Sequence, residues 1–179
     1  MDRIRQEVQQ LYEKDAAGML RYALALAGDA EAARDAVQEA FLRLFIMRSA
    51  GQEIRSPRAW VYRVLHNHVL DQKKAGSRNE VGLESLANAP VAGLDPEADY
   101  SRFELLRRTL VQALTPREIE CVRLRAEGLG YEEIAEVLGV RSGTIGALLT
   151  RAHKKIRQAA GERSGTFGLA MTARKRYAS

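Results

Sequence analysis

The chain is expected to be all-α, with two small helical domains joined by a flexible linker. Three observations carry this expectation. Apolar residues recur at spacings of three and four on both sides of the middle of the chain, without strand-like alternation or hairpin turn pairs. Between Gly76 and Tyr100 that period stops, and Gly76, Gly82, Pro90, Gly93 and Pro96 interrupt any helix. Charge changes at the same boundaries: residues 1–76 carry net +2, 77–101 net −4, 102–160 net +4 and 161–179 net +3, in a chain of 179 residues and formal charge +5. The organisation read from this is a module at 1–76, an acidic tether at 77–101, a second module at 102–160 and a basic tail at 161–179.

Composition bounds the function. A hydrophobic share of 46% is ordinary for a globular protein and argues against wholesale disorder. The single cysteine, Cys121, leaves no internal disulfide framework and no Cys-rich zinc site. No run approaches the roughly 18 apolar residues of a membrane span, and the acid-bearing start (Asp2, Glu7) does not fit a signal peptide. A reducing, cytoplasmic setting without membrane insertion is therefore expected. The basic, acidic, basic order suits two polyanion-facing modules and a tether that avoids the polyanion; ordinary solvated charge is the alternative.

In the first module, Val8, Leu11 and Tyr12 begin an apolar face, and Met19, Leu20, Leu24 and Ala27 continue it in a second helix that stops at Gly28. Asp29 caps a third helix, with Ala33, Val37, Ala40, Phe41, Leu44 and Phe45 on one side and Gly51 at its end. Ser56-Pro57 opens a fourth, with Trp60, Val61, Val64, Leu65 and His68 or Val69 facing inward. The expectation is a four-helix bundle with one modest core. The second module begins with a stripe of Phe103, Leu106, Leu110, Ala113 and Leu114. Thr115-Pro116-Arg117-Glu118 is a helix start: an N-cap threonine, proline at the first position and a glutamate placed to close a capping box. That helix carries Ile119, Val122 and Leu124 or Leu129 and breaks at Gly128 and Gly130, with Cys121 on its apolar stripe.

The stretch from Tyr131 to Arg157 is the most informative. Ile134, Ala135, Leu138, Gly139, Val140, Ile145 and Leu148 stand where a helix-turn-helix needs them. The two helices cross steeply, so the contact point takes a small residue, Ala135, and the sharp turn takes Gly139, which tolerates positive φ. Inward positions of the second helix are Ile145, Leu148, Leu149, Ala152 and Ile156, which leaves Thr144, Ala147, Arg151, Lys154 and Lys155 outward. No acid occurs between Val137 and Gly161, while Arg141, Arg151, Lys154, Lys155 and Arg157 are all present. Such a face fits a major groove: small and hydroxyl residues meet base edges and long cations reach phosphates.

Leu114-Thr115-Pro116-Arg117-Glu118, Gly130 to Ala135, Gly143-Thr144-Ile145 and Arg151-Ala152 together resemble region 4 of bacterial RNA polymerase sigma factors, most nearly the extracytoplasmic-function (ECF) group of the sigma-70 family. Asp35 to Leu42 resembles that group's region 2 helix for the polymerase clamp, and Pro57 to Val61 with Asn67 and Asp71 resembles its promoter-melting helix. The resemblance implies a region 2 helical bundle and a region 4 helix-turn-helix. It further implies a non-catalytic subunit that gives core RNA polymerase promoter recognition through contacts to clamp helices and flap, without cofactor or metal. Asp35, Gln38, Glu39 and Leu42 would contact the polymerase, unless Asp35 and Glu39 simply pair with Arg34 or Arg43. Arg55, Arg58, Arg63, Asn67, Lys73 and Lys74 would hold the −10 strand, with the 48–56 loop capturing an extruded base. Arg141, Ser142, Thr144, Ala147, Arg151, Lys154 and Lys155 would contact the −35 duplex, and an anti-sigma factor would mask both modules.

Gly146-Ala147-Leu148 departs from the basic, small, arginine order usual after the Thr-Ile pair, so the −35 sequence cannot be carried over from relatives. Trp60 is either core or a base-stacking residue, and the tail with Arg174-Lys175-Arg176 either touches DNA or polymerase or does nothing. His66 and His68, two apart on a helix, point to different sides and make a poor metal pair; one exposed and one partly buried histidine is expected. A self-sufficient helix-turn-helix regulator is the competing reading. It would need a sensor or dimerisation domain, for which residues 1–76 show neither a βαβ pattern nor a heptad.

Overall fold

The computed structural model describes residues 2–76 and 112–161, all of their regular structure helical. The tether, the Phe103–Leu110 stripe and the basic tail lie outside these residues. Six helices are described: α1 (Asp2–Ala27), α2 (Ala30–Ser49), α3 (Pro57–Gly76), α4 (Pro116–Ala126), α5 (Tyr131–Leu138) and α6 (Ser142–Gly161).

Residues 2–76 form three helices, not four. The stretch read as two helices is one continuous α1 of 26 residues, because nothing between Glu13 and Gly18 removes a backbone donor or forces a turn. Tyr12 stays half exposed with its ring edge on Phe41, at 5.0 Å between centroids, rather than facing the core. The caps read from sequence form: Asp29 accepts from the Ala32 amide at 2.7 Å and Ser56 Oγ from the Ala59 amide at 3.3 Å. On α3 the buried face is Ala59, Val61, Tyr62, Leu65, His66 and Val69, with Trp60, Val64 and His68 only half-buried. His66 is thus more deeply placed than expected, and Tyr62 was missed. The Tyr22 hydroxyl and His66 Nδ1 are hydrogen-bonded at 2.9 Å inside the core, which explains how a polar ring is accommodated there.

In the second module Thr115 and Glu118 form the reciprocal capping box. α5 and α6 join through Gly139, whose φ of 64° puts it in the left-handed region where a Cβ is strained. Ala135, buried at the crossing, lets α6 approach, and Ile145, Leu149 and Ala152 pin it down.

The modules are not independent. One apolar cluster runs from Met19, Tyr22, Leu44 and Leu65 of the first into Cys121, Leu124, Leu129 and Ile134 of the second, and α3 packs along α5.

Candidate nucleic-acid interface

α6 presents two chemically different faces. Its first turn exposes Ser142, Gly143 and Thr144, preceded by exposed Arg141, and one turn on come Ala147, Thr150, Arg151 and Lys154, all exposed. Arg151 Nε donates to the Ala147 carbonyl at 3.3 Å, so this guanidinium lies along its own helix. Lys155 departs from expectation. It turns inward, and its Nζ sits 2.7 Å from Oε2 of Glu118, a carboxylate only 2% exposed. The helix turns about 100° per residue, so Lys155 stands about 60° from the inward Ala152, at the edge of the buried face, and reaches the carboxylate that caps α4.

On α3, Arg63, Asn67, Asp71 and Lys74 are exposed at intervals of four, four and three, and so share one face. Lys74 lies 3.7 Å from Asp71. Arg55 is exposed just before this helix. Lys73 is half-buried, with an ammonium held below its ordinary pKa by burial and by the nearby Arg123. Arg58 is committed inside the protein: Nε donates to Asp15 Oδ1 at 2.9 Å and Nη2 to the Glu127 carbonyl at 2.7 Å.

On α2, Asp35, Gln38 and Leu42 are exposed and Glu39 is partly so, forming a continuous stripe. Glu39 Oε1 accepts from Arg43 Nε at 2.6 Å. Ile46, 55% exposed and one turn beyond Leu42, extends the stripe and was missed; its spacing of four from Leu42 was the available signal. Among the described residues no His, Cys, Asp and Glu side chains cluster as metal ligands, and no helix is long and apolar enough to cross a membrane.

Comparison with known proteins finds two matched regions. Residues 11–79 match the family model described as Sigma-70 region 2, and residues 107–156 that described as Sigma-70, region 4. The chain is 32% identical over 150 residues to the ECF RNA polymerase sigma factor SigL of Mycobacterium tuberculosis, covering 82% of this chain and 85% of the relative. It is 30% identical over 154 residues to the ECF sigma factor SigE of Mycolicibacterium smegmatis, covering 83% and 59%. The fold resembles the sigma factor RpoE of Bartonella quintana, solved in complex with the anti-sigma factor NepR, at a TM-score of 0.62 and 20% identity over 90% of this chain and 98% of that one. It also resembles CnrH, solved in complex with the cytosolic domain of CnrY, at a TM-score of 0.57 and 20% identity over 89% and 91%. Two matched regions in the right order and a relative aligned over most of both chains leave one conclusion: the chain belongs to the extracytoplasmic-function group of the sigma-70 family of RNA polymerase sigma factors.

Proposed function

We propose that the chain is a non-catalytic, cytoplasmic subunit that binds core RNA polymerase and directs promoter-specific initiation. The exposed, acid-free face of α6 on a helix-turn-helix is the single observation that carries this reading. In it, Arg141, Ser142, Thr144 and Ala147 meet base edges of a −35 duplex, while Arg151 and Lys154 meet phosphates. The α2 stripe of Asp35, Gln38, Glu39 and Leu42 docks on the polymerase, its carboxylates against basic clamp residues. The Arg63–Asn67–Lys74 face of α3, with Arg55, holds the melted −10 strand; an exposed amide such as Asn67 suits the edge of an unstacked base. Arg58, half a turn around α3 from Asn67 and held by Asp15 and the Glu127 carbonyl, and half-buried Lys73 lie off this face. An anti-sigma protein masking both modules would hold the factor inactive, a reading supported by the anti-sigma complex in which one fold relative was solved.

Transcription of a genomic library by core polymerase reconstituted with this chain is expected to give a set of start sites sharing −35 and −10 elements. Asp35→Arg with Gln38→Ala, both at exposed positions, is expected to weaken polymerase binding without changing thermal unfolding. Specific duplex binding by the chain alone, with no response to core polymerase, would instead favour a self-sufficient regulator.

A further inference from the structure

From Ser142 to Thr150, α6 carries no arginine, lysine, amide or carboxylate; its polar side chains there are hydroxyls and the rest are apolar. Leu148, standing where the family order has an arginine, is half-buried and packs against the core. Burial fixes which way this helix faces. Ile145, Leu149 and Ala152 are buried and Ile156 is partly so. At about 100° per residue, Ala147 and Lys154 stand almost directly opposite the middle of that buried face, with Thr150 and Arg151 about 50° to either side. All four are exposed. Arg151 is turned along the helix, its Nε donating to the Ala147 carbonyl at 3.3 Å. Foremost over the first turns are therefore the methyl groups of Ala147 and Thr150, three residues apart on one side.

Those groups suit one feature of the major groove. Guanine is read by an arginine or lysine and adenine by an amide, none of which lies on this stretch. The C5 methyl of thymine instead takes apolar contact from alanine or from the methyl of threonine. We propose that Ala147 and Thr150 read thymine methyl groups in the −35 duplex and that Thr150 is a specificity-determining residue for promoter choice, which rests on the reading of α6 as the −35 helix. Short side chains serve this purpose, because they let the helix axis come close to the base edges. Arg141 and Lys154, at the two ends of the pair, hold the helix on the phosphates without adding sequence information.

The probe is a promoter duplex carrying the −35 element that the holoenzyme itself selects from a genomic library. Each thymine of the element is replaced in turn by deoxyuridine, which removes the methyl and keeps the pairing. Wild-type holoenzyme is expected to bind about fourfold more weakly at one or two of these positions. Thr150→Ser, which drops the methyl and keeps the hydroxyl, should erase the preference for thymine at one position, and Thr150→Val, which keeps a methyl, should restore it. Each preference is a ratio within one variant, so any change in helix stability or polymerase binding cancels. Equal binding of thymine and deoxyuridine duplexes at every position would overturn the methyl reading, as would a selected element made only of G·C pairs. An unchanged preference in Thr150→Ser would remove Thr150 as the reader, and its loss in Thr150→Val as well would assign the contact to the hydroxyl. Scrambling the whole −35 element separates the two levels. If it weakens binding while deoxyuridine does not, methyl reading alone fails; if it changes nothing, the −35 reading of α6 falls and methyl reading with it.

Discussion

Gly146 sits half-buried inside α6, and a Cβ there would stand 3.8 Å from Cε2 of Tyr131, an ordinary van der Waals distance. Nothing local requires glycine, so Gly146→Ala should stabilise the fold by about 0.5–1 kcal/mol through backbone entropy, seen as a raised urea midpoint at constant slope. His66 gives the chain a pH response. Burial, reinforced by the charge of Arg117, lowers its pKa from 6.5 to about 4, so between these values the unfolded state binds the extra proton. Stability is full above pH 6.5 and is lost as pH falls towards 4, by at most about 3 kcal/mol from this group. In urea titrations between pH 5 and 7, His66→Gln should flatten that slope. The sequence placed a histidine pair on α3 but not the depth of either ring, because His66 is accommodated by Tyr22 from another helix.

Local signals were the legible ones. Thr115 with Glu118, Asp29 and Ser56 act within one turn of themselves, and Gly139 acts within its own turn, so their spacing alone was informative. What one helix does to another was not written so plainly. The Lys155 ammonium is inward because Glu118 of α4 waits there, and an acid-free run of sequence cannot show that a lysine has an acid across the bundle. The two neighbouring lysines should therefore separate by readout. Lys155→Ala strands a buried carboxylate and should cost about 1–3 kcal/mol of stability. Lys154→Ala should leave stability unchanged and reduce the salt dependence of −35 duplex binding by the holoenzyme by about one phosphate contact. Equal effects of the two on both measurements would mean that the faces of α6 are wrongly divided.

The chain reads in sequence as two separate modules, yet they share one cluster of buried side chains. The surfaces that join them look unremarkable in a linear reading: a glycine and a tyrosine on amphipathic helices, and arginines that suit a polyanion equally well. A shared core has a thermodynamic consequence that two tethered domains lack, because unfolding one half strips apolar cover from the other and couples the transitions. The chain carries a natural probe in each half. Trp60, the sole tryptophan, lies half-buried in the first module, and Cys121, the sole cysteine, is buried in the second. In a urea titration of the wild type, Trp60 fluorescence and Cys121 protection should fall together, with one midpoint and one slope. Glu127→Ala, which removes the Arg21 ion pair between the halves, should lower the common midpoint without separating the two probes, since the apolar cluster still joins them. Separate midpoints in the wild type would mean that the apolar cluster contributes too little to hold the halves together, and separate midpoints in Glu127→Ala alone would mean that the coupling runs through the Arg21–Glu127 pair rather than through that cluster.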